Sequence, residues 1–399
     1  MQNTQNTKLP LLLLIVLGVM TAFGPMIIDM YSMALPEVQH QFKSSASEAQ
    51  LTLSFAMIGL ALGQFLLGPL SDAFGRKKMA LIILSVFFLA SACAIFVTSL
   101  SLFLVIRFIQ GLTAGGIIVM AKAFAGDKYK GDVLAKFLAS LMVVNGIVTI
   151  IMPLLGGASL TLGSWRIIFV ILTIISILVI CGVAFNMPKT TKAEHTTLNF
   201  KAIFKDFGSL LKKPRFIIPM LLQGLTYVML FSFSSAAPFI TQKVYNMTPL
   251  QFSVMIAVNG IGLIVVSQIV ALLVEYINRF KLLIYLTLIQ VLGVILIVIT
   301  LATHGPLWLL LIAFFINVCP VTSIGPLGFS MAMEERTGGS GNASSLLGLF
   351  QFMLGGIISP LVGLKGQYDA TPYMIVIILT AIILITLQVI YFRNHRNPA

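Results

Sequence analysis

The sequence predicts an all-α membrane protein whose twelve transmembrane helices form two pseudo-symmetric six-helix bundles. Apolar residues make up 58% of the 399 positions and charged residues only 9%. Soluble domains carry about a quarter charged residues, so lipid is the solvent for most of this chain. Twelve apolar runs follow one another, each near the roughly 20 residues that cross a hydrocarbon core about 30 Å thick. A motif between the second and third runs returns in degenerate form between the eighth and ninth.

The first six runs occupy 9–33, 49–70, 79–98, 102–124, 134–160 and 167–187. The second six occupy 216–240, 252–274, 282–302, 307–331, 343–364 and 373–392. The first run is too long for the apolar part of a signal peptide and has no small-residue cleavage site, so it is expected to be retained. Between the two sets lies the longest polar stretch, which divides the chain into a first bundle (1–187), a linker (188–214) and a second bundle (215–399). Within the linker, lysines alternate with Phe200, Phe204, Phe207 and Leu210. Residues 198–211 therefore read either as an amphipathic helix on an anionic leaflet or as a solvated connector.

A net charge of +13 invites a nucleic-acid reading, and the positions of the cations decide against it. With the N-terminus in the cytoplasm, lysines and arginines gather on the cytoplasmic side: Arg76, Lys77 and Lys78, the 122–136 stretch including Lys122, the linker, Arg279, Lys281 and Arg336, and the C-terminal Arg393 and Arg396. Outside fall Lys43, Arg166, Lys243 and Lys365, while Arg107 lies deep within a run. This is the positive-inside pattern of a multi-pass protein of the cell membrane with both termini cytoplasmic. Its expected partners are the lipid bilayer, a small molecule and protons, not nucleic acid, and a monomer suffices. Cys93, Cys181 and Cys319 fall in apolar runs without paired spacing, and His40, His195, His304 and His395 fall in loops, so neither a metal site nor a cofactor is expected.

The repeated motif runs from Gly68 to Lys78 and again from Ala271 to Lys281, with Asp72 and Glu275 each four residues before Arg76 and Arg279. The offset of 203 also relates Gly59 to Gly262. Two related six-helix halves suit a transporter that rocks about a central site. Gly68 and Gly75 permit a tight turn, and Arg76 anchors at the membrane surface. Asp29 is the one carboxylate within a run; it is either a switchable proton carrier or a carboxylate exposed at an outer mouth. Arg107 needs a partner or a wet cavity at that depth, and serves either in coupling or as a pin on backbone carbonyls. In the fifth run Asn145 is followed by Pro153, Gly156 and Gly157, where proline favours a kink and the glycines a close neighbour.

These segments together resemble the major facilitator superfamily, in its drug/proton antiporter branch. The Gly68–Lys78 segment is similar to that family's signature, Arg107-Phe-Ile-Gln110-Gly111 to its fourth-helix motif, and Pro153 to Gly157 to its antiporter motif, with Met152 replacing a small residue. Asp29-Met-Tyr31 with Leu35-Pro36, Phe231 to Pro238 and Gly341 to Gln351 are similar to the bicyclomycin and chloramphenicol resistance (Bcr/CflA) group. The resemblance implies the major facilitator fold, proton coupling at Asp29 and Arg107, and gating by Gly68, Asp72, Gly75, Arg76, Pro153, Gly156 and Gly157. Tyr31, Arg107, Gln110, Asn145, Tyr227, Phe231, Asn317 and Gln351 are the expected cargo contacts.

No phosphate-binding loop is present, and no acid pair, activated nucleophile or metal cluster suggests an enzyme. The expected function is secondary active, proton-coupled export of a drug by alternating access, as in multidrug efflux. One embedded acid against Arg107 leaves little excess negative charge for lipophilic cations. Export of a self-made polar or zwitterionic metabolite such as a metallophore is therefore the alternative. A non-transporting receptor or scaffold is the third reading, and the buried charges and the repeat argue against it.

Overall fold

In lipid the backbone must satisfy its own hydrogen bonds, so apolar runs of this length fold as helices. The computed structural model describes residues 11–129, 131–188, 205, 207–334 and 340–396. The first half comprises α1 (Leu11–Thr21), α2 (Phe23–Ser32), the short α3 (Leu35–Phe42), α4 (Ala46–Phe74), α5 (Arg76–Phe96), α6 (Leu100–Lys128), α7 (Gly131–Thr161) and α8 (Arg166–Asn186). The second comprises α9 (Pro214–Phe239), α10 (Pro249–Leu273), α11 (Arg279–Ala302), α12 (Leu307–Val318), α13 (Val321–Glu334), α14 (Ser340–Ile358) and α15 (Thr371–Arg396). Among the described residues eleven helical spans are long and apolar enough to cross a membrane, and α1 with α2, taken as one span, makes a twelfth. The expected all-α fold is therefore present.

The expected continuous first span is broken: α1 and α2 meet at a bend of 51°. Pro25 has no N–H, so the carbonyl of Thr21 four residues earlier loses its helical donor. Asn145 of α7 supplies one, its Nδ2 donating to the Thr21 carbonyl at 2.9 Å. A polar side chain from a neighbouring helix thus satisfies the break. The tenth span is divided likewise, between α12 and α13 at Cys319 and Pro320.

Helices α4 and α6 interlock through two small-xxx-small pairs. A methyl at Gly59 or Gly63 would meet the carbonyl oxygens of Phe108 or Leu112, and one at Gly111 or Gly115 those of Ala56 or Leu60. Four glycines therefore bring the two backbones into direct contact, the usual solution where lipid offers no hydrophobic drive for helix association.

The repeat extends further than the motif. Ser45 and Glu48 form a capping box that starts α4, and Thr248 and Gln251 form another that starts α10, at the same offset of 203. At the opposite end Gly75, with φ of 91°, makes the turn from α4 into α5. There Arg76 Nε pairs with Asp127 at 2.8 Å while Arg279 Nη1 pairs with Glu334 at 2.5 Å. Each arginine also donates to a serine, Ser71 or Ser330. The two ends of the bundle are accordingly called the Ser45 end and the Arg76 end.

The halves are tied together at the Ser45 end. Ser47 Oγ donates to the Pro360 carbonyl at 2.9 Å, Gln50 Nε2 to that of Ser235 at 3.2 Å, and Gln242 Nε2 to that of Met33 at 3.1 Å. Gly157 of α7 packs on Ser253 of α10, and Gly356 of α14 on the Ser54 carbonyl of α4. Most of the 198–211 linker segment lies outside the described residues. Phe207 and Leu210 are buried with Phe65, Phe216 and Met220, so these two side chains pack on protein, not on a leaflet.

Candidate functional site

A cavity of about 350 Å³ lies between the halves, walled by α1, α2, α4, α6 and α7 from the first and α9, α10, α12, α13 and α14 from the second. Its second-half wall is aromatic: Tyr227, Phe231 and Phe352 cluster, with ring centroids 5.9 Å apart for Tyr227–Phe231 and 5.5 Å for Phe231–Phe352. Gln64, Asn145, Thr149, Asn259 and Gln351 add polar groups. Gln351 Oε1 accepts from Gln223 Nε2 at 3.1 Å, and the buried Asn259 Nδ2 has no acceptor. Among the lining residues, two carry formal charge: Asp29 and Lys122.

Asp29 faces this space because the bend between α1 and α2 and the anchoring of α2 turn it there. The anchor is Arg107, which is fully buried in the first half and points away from the cavity. Its Nη2 donates to the Ile27 carbonyl at 2.7 Å, Nη1 to Gln110 Oε1 at 2.6 Å and Nε to the Thr52 carbonyl at 3.2 Å. The guanidinium lies 4.3 Å from the centre of the Tyr31 ring, and Tyr31 itself shares a hydrogen bond with Thr52. Each of its three nitrogens donates one hydrogen bond, and together they join α2, α4 and α6. No ion pair links Arg107 to Asp29 among the described residues.

A larger groove, about 650 Å³, runs along the perimeter between α11 and α15, with Leu288, Ile385 and Val389 in its wall. It is mostly apolar, with Gln388 and Arg393 also in its lining, and lies outside the interface of the halves; the smaller cavity, between the halves, brings both signs of charge, hydrogen-bonding groups and an aromatic cluster together and is the candidate site.

The family model described as the Major Facilitator Superfamily matches residues 17–360. The chain belongs to this superfamily. Among its relatives, the transporter YdgK of Bacillus subtilis is 33% identical over 386 residues, covering 96% of both chains. The bicyclomycin resistance protein homolog of Haemophilus influenzae is 26% identical over 393 residues, 98% of both. The multidrug resistance protein MdtM of Salmonella typhimurium is 28% identical over 272 residues, 64% of both. Solved structures of the nucleoside transporter NupG (TM-score 0.75, 14% identity, covering 96% of this chain and 98% of that one) and of a D-xylose-proton symporter (TM-score 0.74, 17% identity, 94% and 96%) share the fold.

Within this superfamily frame, the expected cargo contacts divide. Asn145, Tyr227, Phe231 and Gln351 line the cavity, whereas Tyr31, Arg107, Gln110 and Asn317 do not. Gln110 Nε2 is spent on Ser91 Oγ at 2.9 Å, and Asn317 exchanges side-chain and backbone hydrogen bonds with Gln290 of α11. Of the expected gating residues, Gly156 packs on the Met30 carbonyl and Gly157 on Ser253, both at the Ser45 end. The helix α7 continues through Pro153. Gly68 lies against Val119, while Gly75 and Arg76 form the turn at the other end. The side chain of Asp72 lies outside the described residues.

Gln64, Lys122, Thr149, Asn259 and Phe352 are among the cavity residues absent from the expected contacts. Lys122 was legible: it falls inside the fourth apolar run, where the rule that singled out Arg107 applies equally. Grouping it with loop cations was an error of position; it lines the cavity wall.

Proposed function

We propose that the chain is a secondary active exporter that exchanges a small molecule for protons across the cell membrane by alternating access. The observation that carries this reading is a carboxylate, Asp29, with no ion pair among the described residues, facing a cavity between two halves that are hydrogen-bonded to each other at the Ser45 end. The positive-inside rule assigns the Arg76 end and both termini to the cytoplasm, so the hydrogen bonds at the Ser45 end form the outer seal that alternating access has to open. A carboxylate that is charged when it holds cargo and neutral when protonated exchanges one for the other, because each state of the site favours only one of them.

Asn145, Tyr227, Phe231 and Gln351 contact cargo in this account. Arg107, with Tyr31 and Gln110, holds α2 so that Asp29 stays presented. Gly156 and Gly157 at the outer seal, with Pro153 one turn before them, and Gly68, Asp72, Gly75 and Arg76 toward or at the inner end, form the gating elements. The driving force is the proton gradient, about 2.3 kcal/mol per charge per 100 mV and about 1.4 kcal/mol per pH unit.

The relatives whose names record bicyclomycin and multidrug resistance support drugs as cargo. Lys122 in the cavity favours a second cargo, a polar or zwitterionic metabolite made by the cell. Both are tested by expressing the chain in an efflux-deficient host and measuring intracellular accumulation of bicyclomycin, chloramphenicol and ethidium, with the metabolites of the medium compared with and without the protein. Lower accumulation of a drug, or a metabolite appearing in the medium, supports export. Unchanged drug levels together with an unchanged medium overturn it.

A further inference from the structure

We propose that Lys122 makes the cavity selective for anionic groups, so that the cargo carries an acidic function and lipophilic cations are disfavoured. The proposal rests on the reading of this cavity as a cargo site. Its first support is placement. Lys122 follows Arg107 by 15 residues on α6, about 22 Å along the helix axis at 1.5 Å per residue. Arg107 reaches the carbonyl of Ile27, two residues from Asp29. The two formal charges of the cavity therefore stand at different depths, Asp29 toward the Ser45 end and Lys122 toward the Arg76 end.

The second support is the state of the lysine. The ion pairs among the described residues are Arg76–Asp127, Arg279–Glu334 and Lys365–Asp369, and none includes Lys122. The nearest acid along its own helix, Asp127, is held by Arg76. The other deep cation, Arg107, is fully buried, gives three of its N–H donors to carbonyls and Gln110, and is not among the residues that line the cavity. Lys122 is solvent-accessible and is among the residues that line the cavity. An ammonium at membrane depth is retained where it meets a wet cavity or a ligand.

The third support is the balance of hydrogen-bonding groups. Asn259 Nδ2, buried in the same wall, is a second donor without an acceptor. Lys122 offers donors to an acceptor-rich group such as a carboxylate, and a turn of the buried Asn259 amide toward the cavity adds another. Tyr227, Phe231 and Phe352 offer an apolar face for the rest of the molecule. A small acid-bearing molecule that also meets Asp29 through a polar or cationic group fits both ends.

The competing account is that Lys122 snorkels to the cytoplasmic surface, six residues before the end of α6, and leaves the cavity potential unchanged. The full chain, with Cys93, Cys181 and Cys319 replaced by serine and a reporter cysteine placed by Thr149→Cys, separates the two. The rate of labelling is measured with an anionic reagent, sulfonatoethyl methanethiosulfonate, and a cationic one, trimethylammonioethyl methanethiosulfonate. The ratio of anionic to cationic rates is expected to fall about tenfold in Lys122→Gln, equivalent to about 1.4 kcal/mol, and to be kept in Lys122→Arg. A ratio unchanged in Lys122→Gln, or one lost equally in Lys122→Arg, overturns the proposal. Labelling requires no transport, so the two readings fail separately. A shifted ratio in a chain that exports nothing sinks only the export reading, and an unchanged ratio in an active exporter sinks only the role of Lys122.

Discussion

Replacing Arg107 by lysine keeps the charge and removes the fork. The guanidinium makes hydrogen bonds at 2.7, 2.6 and 3.2 Å to three acceptors on α2, α6 and α4, and an ammonium on a shorter reach can keep one of them. Hydrogen bonds to charged groups contribute about 1.5–3 kcal/mol each, and the two carbonyl acceptors retain helical partners, so the loss is about 3 kcal/mol. At about 2.1 cal/mol/K per residue over the chain, that lowers Tm by about 4 °C. Thermal unfolding in detergent, followed by the fluorescence of Trp165 and Trp308, reads the shift. Transport in Arg107→Lys is expected to be slower with the same number of protons moved per cargo, because Arg107 acts through the position of α2. An Arg107→Lys protein that unfolds like the wild type yet moves cargo without protons refutes this reasoning and makes Arg107 part of the coupling chemistry.

Two further outcomes follow from packing and burial. Gly63→Ala drives a methyl into the Leu112 carbonyl of α6 and is expected to destabilise by about 1–3 kcal/mol. Gly126→Ala, in the partner helix α6 and with open space around it, is expected to be neutral or stabilising by up to about 1 kcal/mol; the thermal unfolding of the two variants gives the comparison. Glu37, outside the spans, has its carboxyl raised above the usual range by burial, against the lowering effects of the Trp165 N–H and Arg166. The folded state therefore binds that proton more tightly than the unfolded state, and the stabilisation is present below the unfolded value of about 4.3 and is lost as pH rises through the folded one. Glu37→Gln should thus gain Tm relative to wild type at neutral pH and lose that gain near pH 4, about the unfolded value; a difference independent of pH contradicts the assignment.

Hydropathy alone made the spans legible, since lipid leaves an apolar run of this length little choice but a helix. The break at Ala22 was not legible, because the run is apolar throughout and the break is tolerated by Asn145, a residue more than 120 positions away. The depth of Asp29 and Arg107 could be read from position, but their directions could not. Three acceptors from three helices turn Arg107 inward, and the anchoring of α2 turns Asp29 to the cavity. Gln110 and Asn317 were placed in the cavity on polarity, yet both pack against helices of their own half, where Gln110 donates to Ser91 and Asn317 exchanges hydrogen bonds with Gln290. The second copy of the capping box was present as Ser45…Glu48 and Thr248…Gln251 at the motif's own offset and needed only a comparison of helix starts.

The central claim is that Asp29 carries the proton exchanged for cargo. Its most direct test is proton flux in vesicles holding the purified chain under an imposed pH gradient, on addition of the drug or metabolite that the export assay identifies, in wild type and Asp29→Asn. The account predicts that cargo drives proton movement in the wild type and that Asp29→Asn abolishes it while the variant still binds cargo. Proton movement that persists unchanged in Asp29→Asn contradicts it and leaves Asp29 a bystander in the cavity wall.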